Sequence, residues 1–360
     1  MAMIPILAFI VIGLFFLEKY SIKYASKGMD YDIVPSGTLV EADEEFSLVT
    51  TITNSKRLPV GFLRTGELMP DGIALLGGEF EITPGDRGGA FVSDTYIMPR
   101  QRLTRTLKAA LPKRGLYHFR GATLTVGSFI GLSEKTKDFH LLREVVVPPK
   151  PVETREFKGL LGRYIGDISV YMFLLEDPIL TIGFRDYTEH DPMRSICWRQ
   201  TARLGKLMVK NFDRTLDLTA TVIMNLDSSV VEGLEAVFSM ARTVCEYLDT
   251  MEVPYRFVTN ASVAATMGRA VIPDGFGGDH LVSVLELLGR ATYSNFESQA
   301  NMLARIAKGA EPGRSHILLT PEVTPPVSTL LHKLRVRTGR EVLVLTPETL
   351  NEEAEMSTAV

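Results

Sequence analysis

Charged, aromatic and turn-forming side chains are denser in residues 183–213, GFRDYTEHDPMRSICWRQTARLGKLMVKNFD, than anywhere else in the chain. Two chemistries are open to such a mixture. Asp186, Glu189, His190 and Asp191 could form an acid/base or metal-binding set, while Arg194, Arg199, Arg203, Lys206 and Lys210 could grip an acidic partner or pair internally with those carboxylates. His190 and Asp191 are adjacent at a turn, and neither an HExxH run nor a paired-histidine spacing is present, which favours capping and ion pairing over catalysis. Asp191 before Pro192 reads as a helix start, because an N-cap carboxylate accepts orphan N–H groups and proline has no N–H to lose. The spacing predicts a helix from there to Arg203, ended by Gly205 in the left-handed region. A strand follows, in which Leu207 and Val209 alternate with Lys206, Met208 and Lys210. Trp198, the sole tryptophan, falls within this helix and is expected to seal it against a sheet.

The elements that must hold this block follow from the rest of the chain. With 360 residues, 45% of them apolar, and a net charge of −4, the composition allows two domains with proper cores and excludes both disorder and a globally basic nucleic-acid binder. Cys197 and Cys245 lie far apart without a CxxC spacing, against a disulfide scaffold or a cysteine zinc site. Met1 to Leu17 carries no charge. It is read as a membrane-spanning helix within residues 1–20, slightly short of the about 20 residues a span needs, with Tyr20 at the interface. Lys19, Lys23 and Lys27 follow it, which places the remainder in the cytoplasm as a single-pass cell-membrane protein.

Residues 30–151 show short alternating runs, at 46–53, 90–97, 105–111, 117–126 and 144–147, broken by glycine and proline as in an antiparallel β-sandwich. Residues 152–182 read as a linker, with Arg155, Lys158, Arg163 and Tyr164 in a basic loop. After Asp213 strands and helices alternate, the mark of a mostly parallel sheet with helices on both faces. Strands are expected at 218–226, 255–259, 317–320 and 341–345, and helices at 231–248, 280–288, 294–307 and 326–335. The acidic tail, 348–360, is expected to fray.

The run R-D-Y-x-x-x-D-x-x-R-x-I-x-W-R-x-T-A-R-x-G-x-L-x-V-K, from Arg185 to Lys210, resembles the signature of the bacterial domain of unknown function 58 family. Lys113 to Tyr117, Gly127 to Leu132 and Val145 to Pro148 match the same layout, although the second departs from the family's usual D-P-F-G-L form. The resemblance implies an α+β multidomain chain: membrane helix, β-sandwich, then, over 183–347, the signature block and a von Willebrand factor A-like, Rossmann-like α/β domain. It also implies a partner, since such proteins resemble adaptors for MoxR-type AAA+ ATPases in protein assembly or envelope maintenance. The block's Arg185, Asp186, Tyr187, Asp191, Arg194, Trp198, Arg199, Arg203 and Lys206 are the expected binding centre.

Von Willebrand A domains hold Mg²⁺ with a D-x-S-x-S run and later threonine and aspartate residues, all oxygen donors. Here Asn225, Asp227 and Ser229 stand at the run's three positions, Thr292 or Ser294 at the threonine, and Thr320, Pro321, Glu322 replace the usual T-D-G. The resemblance therefore implies a degraded cation site formed by Asn225, Asp227, Ser229, Thr292 and Glu322. Without that site, Asp227, Ser228 and Ser229 serve as turn and N-cap residues for the next helix. No serine-hydrolase elbow or phosphate-binding loop is present, and the basic face lacks the aromatic interleaving of a nucleic-acid site. The reading is a non-enzymatic, membrane-anchored adaptor without a cofactor, Mg²⁺ being the one candidate ion. The rivals are a metal-dependent hydrolase or nuclease using the carboxylates at 185–191 with Asp227, and an exported adhesin-like protein.

Overall fold

The computed structural model describes residues 3–77, 82–85, 88–128, 133–174, 181–188, 193–212, 219–227, 233–264 and 270–348. The chain clusters into two compact units, Met1–Lys150 with Leu288–Arg290, and Pro151–Leu287 with Ala291–Val360.

In the first unit a helix, α1 (Met3–Tyr24), precedes nine strands. These are β1 (Met29–Pro35), β2 (Phe46–Asn54), β3 (Val60–Met69), β4 (Ala74–Leu76), β5 (Ile82–Gly85), β6 (Gly88–Ile97), β7 (Arg102–Ala110), β8 (Gly115–Gly127) and β9 (Glu134–Val147). They form two antiparallel sheets, β1-β2-β7-β4 and β5-β6-β3-β8-β9. Strict alternation in β2, with Phe46, Leu48, Thr50, Ile52 and Asn54 inward, is what a half-buried strand requires. One core shared by both sheets takes Leu48 and Leu107 from the first and Leu63, Ile97, Phe119 and Leu124 from the second. Where β8 bulges against β9, Gly121 adopts φ 113°, and a Cβ there would stand 1.9 Å from the Phe139 carbonyl oxygen, so only glycine fits. Among the described residues no helix is both long and apolar enough to cross a membrane. α1 runs on beyond the uncharged stretch through Glu18 and Lys19, and Glu18 is buried where its carboxylate accepts from the Ser128 hydroxyl.

The second unit begins with α2 (Arg155–Leu174), which corrects the expected basic loop. Phe157, Leu161 and Ile165, spaced four apart, are all buried and give this segment one apolar helical face. The Tyr164 hydroxyl donates to the carbonyls of His316 at 3.2 Å and Glu341 at 3.1 Å, and burial pushes its pKa up to about 12. Next come β10 (Thr181–Asp186), a 3₁₀ turn (Met193–Ser195), α3 (Trp198–Leu204) and β11 (Met208–Phe212). The remainder is β12 (Ala220–Met224), α4 (Leu234–Thr250), β13 (Tyr255–Thr259), β14 (Ala261–Val263), β15 (Ala270–Gly275), α5 (Gly278–Arg290), β16 (Ala291–Asn295), α6 (Gln299–Lys308), β17 (Ser315–Leu319), α7 (Pro325–Thr338) and β18 (Val342–Leu345).

The main sheet here has the order β15-β13-β12-β17-β18. The strands β13, β12, β17 and β18 are parallel and the edge strand β15 is antiparallel. Every residue of β12 and β17 is buried, as expected for central strands covered on both faces. Ile223, Val258 and Leu318 pack with Met302 and Leu303 of α6 and Val327 of α7, while α4 lies against β12 and β17. The small strands β14 and β16, the latter lying where a helix from 294 was expected, pair antiparallel beside this sheet.

Candidate functional site

Two features of the second unit collect the residues that sequence singles out. The first lies at the carboxyl ends of β12, β13 and β17, the edge at which open α/β sheets bind ligands. Asn225 follows β12, Asn260 follows β13 and Thr320 follows β17, and all three are fully buried. The Asn225 amide donates to Thr320 Oγ1 at 3.0 Å, and Asn225 Oδ1 accepts from Asn260 Nδ2 at 2.8 Å and from the Asp227 backbone N–H at 3.1 Å. Asn260 Oδ1 accepts from the Leu226 N–H at 2.9 Å. Thr320 donates to the Glu322 carbonyl at 2.7 Å and lies 3.4 Å from the donating Gln299 side-chain amide.

This arrangement does not fit Mg²⁺. The oxygens of Asn225 and Thr320 already accept from N–H donors, and a cation needs free oxygens, preferably charged ones. Among the described residues there is no group of three or more His, Cys, Asp or Glu side chains that could hold a metal ion. Asp227, half-buried, places Oδ2 3.1 Å from the Gln299 N–H at the start of α6 and Oδ1 3.4 Å from Asn295 Nδ2. Its charge thus complements the N-terminus of α6. It does not cap the helix that follows it in sequence, α4, whose N-cap is Gly233 in the left-handed region.

The remaining expected donors separate. Thr292 is exposed on β16 and donates to the Ser262 carbonyl at 3.0 Å, Glu322 contributes its carbonyl while its side chain is exposed, and Ser229 lies outside the described residues. The chain supplies instead Asn260 and Gln299, which no motif flagged; their only signal was an uncharged amide just past a buried strand and another opening a helix.

The second feature is the signature block itself. β10 and β11 pair antiparallel, with Arg185 opposite Val209 and Asp186 opposite Met208, and the Tyr187 N–H donates to Leu207 O at 2.9 Å. Ile196 bridges to Val209, and the Cys197 N–H donates to Met208 O at 2.8 Å, which ties the 3₁₀ turn to the hairpin. Thr201 Oγ1 accepts from the Met208 N–H at 3.0 Å, and Gly205, at φ 69°, closes α3 as its residue type requires.

Three expectations need correction or fall away here. The helix begins at Trp198, and the segment before it is a single 3₁₀ turn. Trp198 is 66% exposed rather than core, because Ile196, Met208 and Val209 fill the buried side of the hairpin and α3 buries none of its residues. Arg199, Arg203 and Lys206 are exposed and, among the described residues, none of them forms an ion pair with Asp186; the other two expected partners, Glu189 and Asp191, lie outside the described residues. Arg185 is exposed, with Nη1 3.4 Å from the Asp186 carbonyl. Glu189, His190 and Asp191 lie outside the described residues, and of Arg194 only the backbone, within the 3₁₀ turn, is described.

No family model matches the chain. Over 343 residues it is 22% identical to the uncharacterized protein YeaD of Bacillus subtilis, which spans 89% of this chain and 76% of that protein. Among solved structures, a cohesin module from a Clostridium perfringens family 33 glycoside hydrolase is similar over 33% of this chain and 96% of its own length, with TM-score 0.25 and 11% identity. The CARDB domain of a Pyrococcus furiosus protein is similar over 34% of this chain and 90% of its own, with TM-score 0.21 and 12% identity.

Proposed function

We propose that this chain is a membrane-anchored adaptor that docks another protein through α3 and the β10–β11 hairpin and carries out no catalysis of its own. The observation behind this reading is the exposure, within one short stretch of chain, of Trp198 at 66%, Met193 at 72% and Leu204 at 57%, with Arg199, Arg203 and Lys206 exposed beside them in sequence. Tryptophan and arginine together are the residue types that carry binding energy at protein interfaces, and a cluster of exposed apolar side chains costs solubility unless something covers it. The occupant is an acidic, groove-bearing protein, and the resemblance of the signature block points to a MoxR-type AAA+ ATPase.

The parallel arrangement of β12, β13, β17 and β18 supports a von Willebrand factor A-like reading of the second unit. In that reading the cation position has been taken over by neutral amides, which also speaks against a metal-dependent hydrolase. Anchoring through residues 2–17, with the two units in the cytoplasm, rests on the uncharged run and the lysines that follow it.

The test is co-purification of the detergent-solubilised full chain with a MoxR-type AAA+ ATPase from the same cell. Trp198→Ala and the double reversal Arg199→Glu, Arg203→Glu should each abolish capture while leaving the melting curve in place, since all three side chains are exposed. Undiminished capture by both variants refutes the docking surface.

A further inference from the structure

The opposite edge of the same sheet holds a different constellation. Beside α6, toward the amino ends of β12, β13 and β17, lies a cavity of about 220 Å³. Its apolar lining includes Val258, Val271 and Ile306, and its polar lining is Arg256, Arg305 and Arg314 with Thr221, His316 and Glu311, the last held by Arg314. Three arginines at one cavity repel one another unless counter-charges fix them, and the structure shows which are fixed.

Arg314 is fully spent. Its side chain is 6% exposed, Nε donates to Thr221 Oγ1 at 2.8 Å, Nη2 to the Ala220 carbonyl at 3.2 Å and to Asp274, and Nη1 pairs with Glu311 at 3.3 Å. Asp274 also accepts from Arg256 Nη2 at 2.7 Å. Burial pushes the Asp274 carboxyl upward, but hydrogen bonds from Arg314 and Arg256 outweigh it and hold it below the ordinary carboxylate range, so this bridge stays ionised. Arg256 is thereby oriented through one nitrogen with its other donors uncommitted. Arg305 pairs with Glu297 through Nη2; its Nε is buried with no acceptor and out of a ligand's reach, which leaves Nη1 as its spare donor. Two pre-oriented guanidiniums with spare N–H groups therefore flank an apolar floor.

We infer that this cavity binds a small carboxylate with a short apolar body, its two oxygens held by Arg256 and Arg305 and its carbon chain resting on Val258, Val271 and Ile306. Guanidinium forks match the planar pair of carboxylate oxygens. Asp274, Glu297 and Glu311 already offset the three positive charges, so the cavity offers donors without surplus charge and favours a monoanion over the phosphate dianion. The site is separate from α3 and the hairpin and does not depend on the adaptor reading.

The experiment is calorimetric titration of the full chain with butyrate, with inorganic phosphate and sodium chloride at matched ionic strength alongside. Butyrate should bind saturably, phosphate more weakly, and chloride not at all. Arg256→Gln and Arg305→Gln should each bind butyrate about tenfold more weakly, the effect of one lost charge-assisted hydrogen bond. Arg305→Lys, which keeps the charge and loses the fork, should retain the fold and still bind more weakly. Absence of saturable butyrate binding, equal affinity in the Arg305→Lys chain, or tighter binding of phosphate overturns the assignment.

Discussion

The side-chain amide of Asn225 donates to the hydroxyl of Thr320 across 3.0 Å, joining the carboxyl ends of two central strands with both residues fully buried. Asn225→Asp keeps the shape but replaces this donor by a buried charged oxygen that cannot donate to Thr320. The variant should lose about 3 kcal/mol of stability, the range for an unmatched buried charge or polar group. Urea unfolding measures it. Addition of Mg²⁺ should stabilise the variant, in which two carboxylates stand at this end of the sheet, and leave the natural sequence unchanged.

His316 provides a pH-dependent signature. Burial, aided by the nearby Arg314 and Arg256 charges and opposed by Glu311 and by its Nδ1 contact with the Arg314 carbonyl at 3.1 Å, lowers its pKa from 6.5 to about 4. Above pH 6.5 the imidazole is neutral in both folded and unfolded chains and its contribution is fully present. As the pH falls from 6.5 to 4 the unfolded chain takes up a proton that the folded chain refuses, so stability is lost, by about 3 kcal/mol in total. His316→Gln should show a correspondingly shallower loss between pH 7 and pH 4 in paired denaturation series; parallel curves would contradict the burial argument.

Leu161 is fully buried at the centre of the apolar face of α2. Leu161→Ala should cost about 2–5 kcal/mol, the usual span for a leucine truncated in a packed core. Differential scanning calorimetry should show a clearly lower melting temperature. A solvated linker at this position would tolerate the change, so the measurement separates the two descriptions of residues 155–174.

Gly121 is a sharper case of local geometry. Gly121→Ala combines a left-handed backbone with a Cβ placed on the Phe139 carbonyl, and at least one of β8 and β9 must move. The loss should exceed the roughly 1–3 kcal/mol of backbone strain alone. Hydrogen exchange should show faster opening at Phe119, Phe139 and their neighbours, with the second unit's exchange unaltered.

Periodicity made much of the fold readable before any coordinates. Alternation located β2, β6 and β8, and the almost wholly apolar run around β12, whose residues are all buried, suited a central strand. β13 and β17 were equally plain. α2 is hidden in the sequence because Arg155, Lys158 and Arg163 mark a charged face, while Phe157, Leu161 and Ile165 carry the four-residue spacing of the buried one. β15 and β16 were missed because short edge strands beside loops bury little and leave no strong pattern.

At the candidate site a motif comparison found Asn225 and Asp227, because their spacing after β12 is local. Thr320 was legible too, at the T-D-G position, whereas Asn260 and Gln299 meet the site only through the strand order, over separations of 35 and 72 residues, which no local pattern reports. Trp198 was misjudged because tryptophan usually seeks burial, and whether it finds cover depends on where a helix starts, the least determined feature of a sequence.

The chain's single tryptophan stands exposed at the start of α3. Its indole emission therefore reports on that spot alone, free of overlap from any other part of the molecule. Excited at the red edge of the absorption band, the unlabelled protein carries its own optical gauge: a blue shift and reduced quenching by iodide would mark the instant that water leaves this face, and at what concentration of added protein it does so.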